Sequence, residues 1–169
     1  MSSNNLMLPH GPPNLTYQLI SKDKTIVPIS SQSLTQLKIV SQMVNTFQYT
    51  QEQINQVGPI PVNTNDPTLC QIVEWANRHR LDPVPESTNG LEQVKVPAWD
   101  RGFLQRVDET CGLFNIACAS NFLDMPMLQH YIAVLIAEKA RGKSPEQLKK
   151  IFMIPGDSEN AVEGIQRDG

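Results

Sequence analysis

Residues 107–154 contain three predicted helices in a row, and together these helices carry more apolar surface than one core needs. Ser144-Pro145-Glu146-Gln147 predicts the start of the last helix, with a hydroxyl at the N-cap, proline at the first helical position and glutamine reaching back to the cap. The middle helix, predicted over residues 127–140, ends before Gly142, which suits a left-handed cap. The first helix is predicted over residues 113–122.

The middle helix has two apolar rows. The first follows helical spacing and consists of Leu128, Tyr131, Ile132 and Leu135. The second consists of Ala133, Ile136, Ala137 and Ala140. A helix that is apolar all round is either central and buried or gives its second face to a partner. The pattern alone leaves both alternatives open.

The first half of the chain predicts a small sheet with packed helices. Two β-prone runs, residues 17–20 and 25–29, form a hairpin, and residues 58–62 form a short edge strand. One helical face is predicted between the hairpin and this strand, from Leu34, Leu37, Val40, Met43, Val44 and Phe47. Asp66-Pro67 predicts a further helix, with Asp66 as its N-cap. The fold class is therefore α+β.

The flanks and one internal stretch lack such patterns. Residues 1–14 are rich in Ser, Asn and Pro and are predicted to be a disordered lead-in. Residues 82–97 carry three prolines and an Asn-Gly pair with little periodicity, which predicts a mobile loop. After residue 154, Gly164 interrupts a segment with few apolar residues, so we expect a frayed tail.

Composition excludes several classes of function. A net charge of −3 argues against general nucleic-acid binding. The basic cluster of Lys139, Arg141, Lys143, Lys149 and Lys150 lacks interleaved aromatics and is predicted to be solvated helix ends. No apolar run approaches the roughly 20 residues of a membrane-spanning helix. An odd number of cysteines without a signal-peptide pattern predicts an intracellular location.

Catalysis is not expected. Cys111 and Cys118 with His79 and His130 are the candidates for a thiol–imidazole pair, but no signature surrounds either cysteine. Cys118 falls in an apolar helix, where a buried, inert thiol is the usual case. The same residues lack the ligand spacing of a zinc site. We therefore predict no catalytic residue, no metal, no cofactor and no small-molecule substrate.

Several motifs, in order and spacing, resemble one family. They are Val96-Pro97-Ala98-Trp99-Asp100-Arg101-Gly102-Phe103, Ala119-Ser120-Asn121-Phe122-Leu123-Asp124, Arg141-Gly142-Lys143-Ser144-Pro145-Glu146-Gln147 and Phe152-Met153-Ile154. Together they are similar to the Skp family, the adaptors of cullin-based SCF ubiquitin ligases. The resemblance implies a BTB/POZ domain over residues 15–125, extended by F-box-binding helices over residues 126–169. It also implies a non-catalytic adaptor of the cytoplasm and nucleus.

The resemblance further implies two partners, a cullin N-terminal domain and F-box proteins. An Asn-Tyr pair that contributes to cullin binding in the family matches Asn121-Phe122 here, with the hydroxyl lost. The F-box side matches Gln129, Ala133, Ile136, Ala140, Leu148, Phe152 and Ile154. Because alanine replaces larger side chains in this row, we expect altered or weaker F-box choice.

The chain departs from the family in two further places. The run from Gln105 to Phe114 is slightly longer than usual, which predicts a bulging loop before the first helix. The tail lacks the family's acidic final helix and terminal Trp-Cys. An alternative therefore stays open, in which a diverged BTB scaffold self-associates or occupies a cullin without recruiting F-box proteins.

Overall fold

The computed structural model describes residues 14–151. Within that range the order of elements is β1 (Thr16–Ile20), β2 (Ile26–Ser30), α1 (Ser31–Leu34), α2 (Lys38–Phe47), α3 (Gln51–Val57), β3 (Ile60–Pro61), α4 (Asp66–Arg78), α5 (Ala98–Cys111), α6 (Phe114–Phe122), α7 (Pro126–Ala140) and α8 (Pro145–Ile151). One small sheet with many helices confirms the α+β class. The predicted lead-in and tail lie outside the described residues, except Asn14.

The described residues form two compact units. The first contains residues 14–85 together with Phe122–Met125, and the second contains Glu86–Asn121 together with residues 126–151. Residues 82–97 contain turns but no helix or strand, and their mobility stays a prediction.

The sheet of the first unit has the strand order β2-β1-β3. β1 pairs antiparallel with β2, with Tyr17 opposite Ile29, and parallel with β3, with Leu19 opposite Ile60. This arrangement confirms the predicted hairpin and the edge strand. Alternate residues of β1 are buried, as expected for a sheet with one face on the core. Burial also raises the pKa of the Tyr17 hydroxyl.

The predicted single helical face after the hairpin is wrong. The Ser30 hydroxyl accepts a hydrogen bond from the Ser33 amide at 3.2 Å and starts the short α1, and α2 begins only after Leu37. Leu37 is buried, but Met43 and Phe47 are exposed on α2. The sequence pattern missed α3 altogether, although a capping box between Thr50 and Gln53 starts it. Hydroxyl caps start α1 and α3, whereas α2 starts at Leu37 without a side-chain cap, so apolar spacing alone did not show where this region divides.

α4 begins with a different cap from the one predicted. Asn65, not Asp66, is the N-cap, and its side chain accepts a hydrogen bond from the Thr68 amide at 3.0 Å. The Asp66 carboxylate instead accepts hydrogen bonds from the hydroxyls of Ser21 and Thr25. These two bonds hold the pKa of Asp66 below its ordinary value, and the bond from Ser21 has the larger effect. A side chain at the start of α4 therefore stabilises the hairpin turn.

The second unit consists of α5 to α8. α5 continues through Cys111 with Leu104 and Val107 buried, and Gly112 ends it with a φ of 73°. The predicted bulge is therefore wrong, because the additional residues extend a helix. At α8 the prediction is confirmed. The Gln147 amide donates to the Ser144 hydroxyl at 3.3 Å, and the Gln147 side chain accepts from the Ser144 amide at 2.9 Å.

Candidate docking surfaces

The C-terminal end of α6 exposes a large aromatic side chain. Asn121 is exposed, and Phe122 keeps 58% of its surface open to solvent. The residues that follow are anchored, since Leu123 and Met125 are each only 1% exposed. Asp124 between them takes a left-handed conformation, with φ of 53°, and turns the chain towards α7. Phe122 is therefore a surface residue and not part of the core.

The start of α2 lies beside the turn that follows Phe122. The Ile39 amide donates a hydrogen bond to the Leu123 carbonyl at 3.2 Å, and the Lys38 ammonium lies 3.7 Å from the Asp124 carboxylate. From there the exposed residues of α2 run at a spacing of four: Ile39 (46% exposed), Met43 (45%) and Phe47 (56%). We name these three residues the α2 row.

Sequence reasoning missed the α2 row as a surface. Met43 and Phe47 were predicted to be buried, and Ile39 was not singled out. The signal was available, because Val40 and Val44 supply a core face and are buried, which leaves a second apolar row on the same helix. α2 thus resembles α7 in having two apolar rows, one that packs on the core and one that is available to a partner.

α7 has one buried face and one open face. Leu128, Tyr131 and Ile132 of the first row are buried, while Leu135 is partly exposed. Of the second row, Ala133 and Ala137 are exposed, and Ile136 and Ala140 are partly exposed. Leu148 on α8 is partly exposed as well. Phe152 and Ile154, the remaining F-box positions, lie outside the described residues. α7 is therefore not buried on all sides.

Gln129 differs from the other residues predicted for the F-box side. Its side-chain amide donates to the Ser120 carbonyl at 3.1 Å and to the Asn121 side-chain oxygen at 3.3 Å. The side-chain amide of this α7 residue therefore makes its hydrogen bonds at the end of α6, where Asn121 is predicted to bind a cullin.

A charged cleft of about 450 Å³ lies between α5 and α7. Arg101 donates to both carboxylate oxygens of Glu138, at 2.8 and 3.3 Å, and Lys139 pairs with Asp108. The hydrogen bond from Arg101 holds the pKa of Glu138 below its ordinary value. Because Asp108 neutralises the charge of Lys139, the net positive charge of the basic cluster described in the sequence analysis is lower by one.

The candidates for catalysis are engaged in other contacts or are solvent-exposed. The His79 ring stacks on Trp75 and lies 2.6 Å from the Asp82 carboxylate, and the His130 ring lies 2.7 Å from the Val94 carbonyl oxygen. Cys118 is exposed, so the prediction of a buried thiol is wrong. Between residues 14 and 151, no group of His, Cys, Asp or Glu side chains could hold a metal ion. No helix in the same range has the length and apolar character to cross a bilayer.

Comparison with known proteins gives consistent matches. Residues 126–168 match the family model described as the Skp1 family, dimerisation domain. The chain is 31% identical over 148 residues to the E3 ubiquitin ligase complex SCF subunit sconC of Aspergillus flavus, covering 86% of each chain. The protein of the same name from Arthroderma benhamiae is 31% identical over 145 residues, which is 82% of this chain and 83% of that protein. The Talaromyces stipitatus protein reaches 35% identity over 103 residues, which is 59% of this chain and 63% of that protein. At this identity over most of both chains, the protein belongs to the Skp1 family.

Proposed function

We propose that this protein is a non-catalytic adaptor of an SCF-type cullin ubiquitin ligase. It bridges a cullin N-terminal domain to F-box substrate receptors for ubiquitin-dependent protein degradation. The observation that carries the proposal is the exposed Phe122 beside Asn121, at the position that the family resemblance assigns to cullin contact. The names of its relatives as SCF subunits support the same role.

The cullin side of the proposal consists of Asn121, Phe122 and the α2 row. A partner that covers an exposed phenylalanine removes apolar area from water, which favours binding. The hydrogen bond from Ile39 to the Leu123 carbonyl puts the start of the α2 row beside the turn after Phe122. An apolar surface of several large side chains is typical of a protein partner rather than of a small ligand.

The F-box side of the proposal lies on α7 and α8. Ala133, Ile136, Ala140 and Leu148 give an apolar, partly open face, and Phe152 and Ile154 continue it in the sequence. Two of these positions are alanines, which bury little area. At about 25 cal/mol per Å² of apolar area, each missing large side chain forfeits about 1 kcal/mol unless the receptor fills the space. The proposal therefore includes an altered or weaker choice of F-box receptors.

Such an adaptor brings the substrate close to the ubiquitin-conjugating enzyme and does not itself catalyse a reaction. Holding a cullin on one surface and a substrate receptor on another raises the effective concentration of substrate near the ubiquitin-conjugating enzyme. The proposal keeps the division into a BTB/POZ domain over residues 15–125 and partner-binding helices from residue 126, which the family-model match from that residue supports. It also assigns the protein to the cytoplasm and nucleus.

The test is a binding assay of the full chain with cullin N-terminal domains and a panel of F-box segments. The double variant Asn121→Lys/Phe122→Lys should lose cullin and keep F-box binding. Ile136→Asp should do the reverse. Leu81→Asp is the matched control, because Leu81 is 76% exposed and outside both surfaces, so neither partner should be affected. If the wild-type chain captures neither class of partner, the proposal fails.

The α2 row also favours one different function, that of a scaffold which self-associates. Sedimentation of the chain alone separates the two. A self-associating scaffold gains mass with its own concentration and loses it in Met43→Asp. A working adaptor stays monomeric until an F-box segment or a cullin domain is added.

A further inference from the structure

We infer that Gln129 is a positioning residue which fixes Asn121 as a hydrogen-bond donor towards the cullin, so that the cullin must present an acceptor there. This inference rests on the proposed function, and it moves Gln129 from the F-box side to the cullin side. It depends on three groups of the second unit: the Ser120 carbonyl, the Asn121 side chain and the Gln129 side chain.

The first step fixes the orientation of the Gln129 amide. The last carbonyls of a helix have no partner within that helix, and the Ser120 carbonyl is one of these at the end of α6. A carbonyl oxygen can only accept a hydrogen bond. The side-chain atom of Gln129 that lies 3.1 Å from it must therefore be the nitrogen, Nε2.

The second step fixes the orientation of the Asn121 amide. The same Nε2 lies 3.3 Å from the nearer polar atom of the Asn121 side chain. Nε2 carries only donors, so that atom must be the oxygen, Oδ1. Asn121 is then held with its Nδ2 group away from Gln129. Among the residues that the structure describes, this Nδ2 group has no hydrogen-bond partner, and Asn121 is exposed.

The orientation of Asn121 determines which chemical group of the cullin can bind it. The exposed Nδ2 group is a pair of donors on the residue that precedes Phe122 in the sequence. The complementary group is a backbone carbonyl or a carboxylate, and a lysine or arginine at that point would face only donors. Because Gln129 orients Asn121 before binding, less side-chain freedom is lost when the complex forms.

The test measures the affinity of the full chain for a cullin N-terminal domain and, separately, for an F-box segment. Gln129→Leu keeps most of the volume and removes the donors, and we expect cullin affinity to fall by about three- to tenfold. Gln129→Glu offers only an acceptor, so Asn121 must turn its Nδ2 inward, and the fall should be at least as large. F-box affinity should stay within about twofold in both variants.

A double-mutant cycle separates positioning from a general structural effect. In an Asn121→Ala background, Gln129→Leu should have no further effect on cullin affinity, because there is no side chain left to orient. An equal fall in both backgrounds overturns the inference, as does an unchanged affinity in Gln129→Leu or a loss confined to the F-box segment. These outcomes require cullin binding by the wild type. If the wild type binds no cullin, the proposed function fails and this inference fails with it.

Discussion

The exposure of Phe122 gives a prediction with a magnitude. A phenylalanine has an accessible area of about 200 Å². With 58% of Phe122 open, a partner that covers it removes about 115 Å² from water, or about 3 kcal/mol at 25 cal/mol per Å². Alanine keeps part of that area, so Phe122→Ala should cost about 2 kcal/mol of binding, a rise of about 30-fold in the cullin Kd.

Isothermal titration with a cullin N-terminal domain measures this change. Leu81→Ala is the matched control, because Leu81 is 76% exposed but lies outside the proposed surface, and its Kd should be unchanged. The free energy of unfolding, from urea titration, should fall by less than about 1 kcal/mol in Phe122→Ala, since most of the side chain is already in water. A change of less than about threefold in Kd, with the fold intact, would refute the area argument.

Three further predictions concern the fold and its thiols. Gln36→Leu removes two hydrogen bonds that the Gln36 amide donates, to the His79 carbonyl at 2.7 Å and to the Asp82 carbonyl at 3.0 Å. The free energy of unfolding, measured in urea, should fall by about 2 kcal/mol, and a fall of less than about 0.5 kcal/mol would contradict this prediction. The lowered pKa of Asp66 stabilises the folded state at neutral pH, and this contribution is lost as pH falls below the ordinary value of 3.8 and through the lowered pKa. Urea unfolding as a function of pH should therefore show the wild type and Asp66→Asn converging in acid, and a constant difference would exclude the effect. Cys118 should react with an alkylating probe in the folded protein, as mass spectrometry can detect, and protection until unfolding would contradict its exposure.

Much of the fold was predictable because its signals are local. The hairpin of β1 and β2 and the capping box of Ser144 and Gln147 depend on residues close in sequence. The short run of β3 was also recognisable by itself, although Ile60 pairs with the distant Leu19. The motifs of the second half also identified the family. Membership of the Skp1 family confirms the predicted BTB/POZ-type fold. The errors at Asp66 and at the predicted bulge arose where hydroxyl partners or helix continuation competed with the local pattern.

The candidate surfaces were only partly predictable. The sequence could point to Asn121, Phe122 and the second row of α7, because these match family positions or remain after a core face is assigned. It offered two apolar rows on α2 but did not decide which of them is exposed, since Met43 and Phe47 fit the spacing of a buried helix face as well as that of an exposed one. It also assigned Gln129 by position, whereas the position of its amide depends on the end of a different helix.

Caps, periodicity and ordered motifs are properties of neighbouring residues, so the amino-acid sequence alone was enough to identify the fold class and the family. Which apolar side chains stay in water depends instead on how the helices pack. Phe122 is open while Leu123 and Met125 are buried, and the Ile39 amide bonds to the carbonyl of Leu123, the residue after Phe122. Exposure depends on what packs against a residue from distant parts of the chain, and no local pattern encodes that.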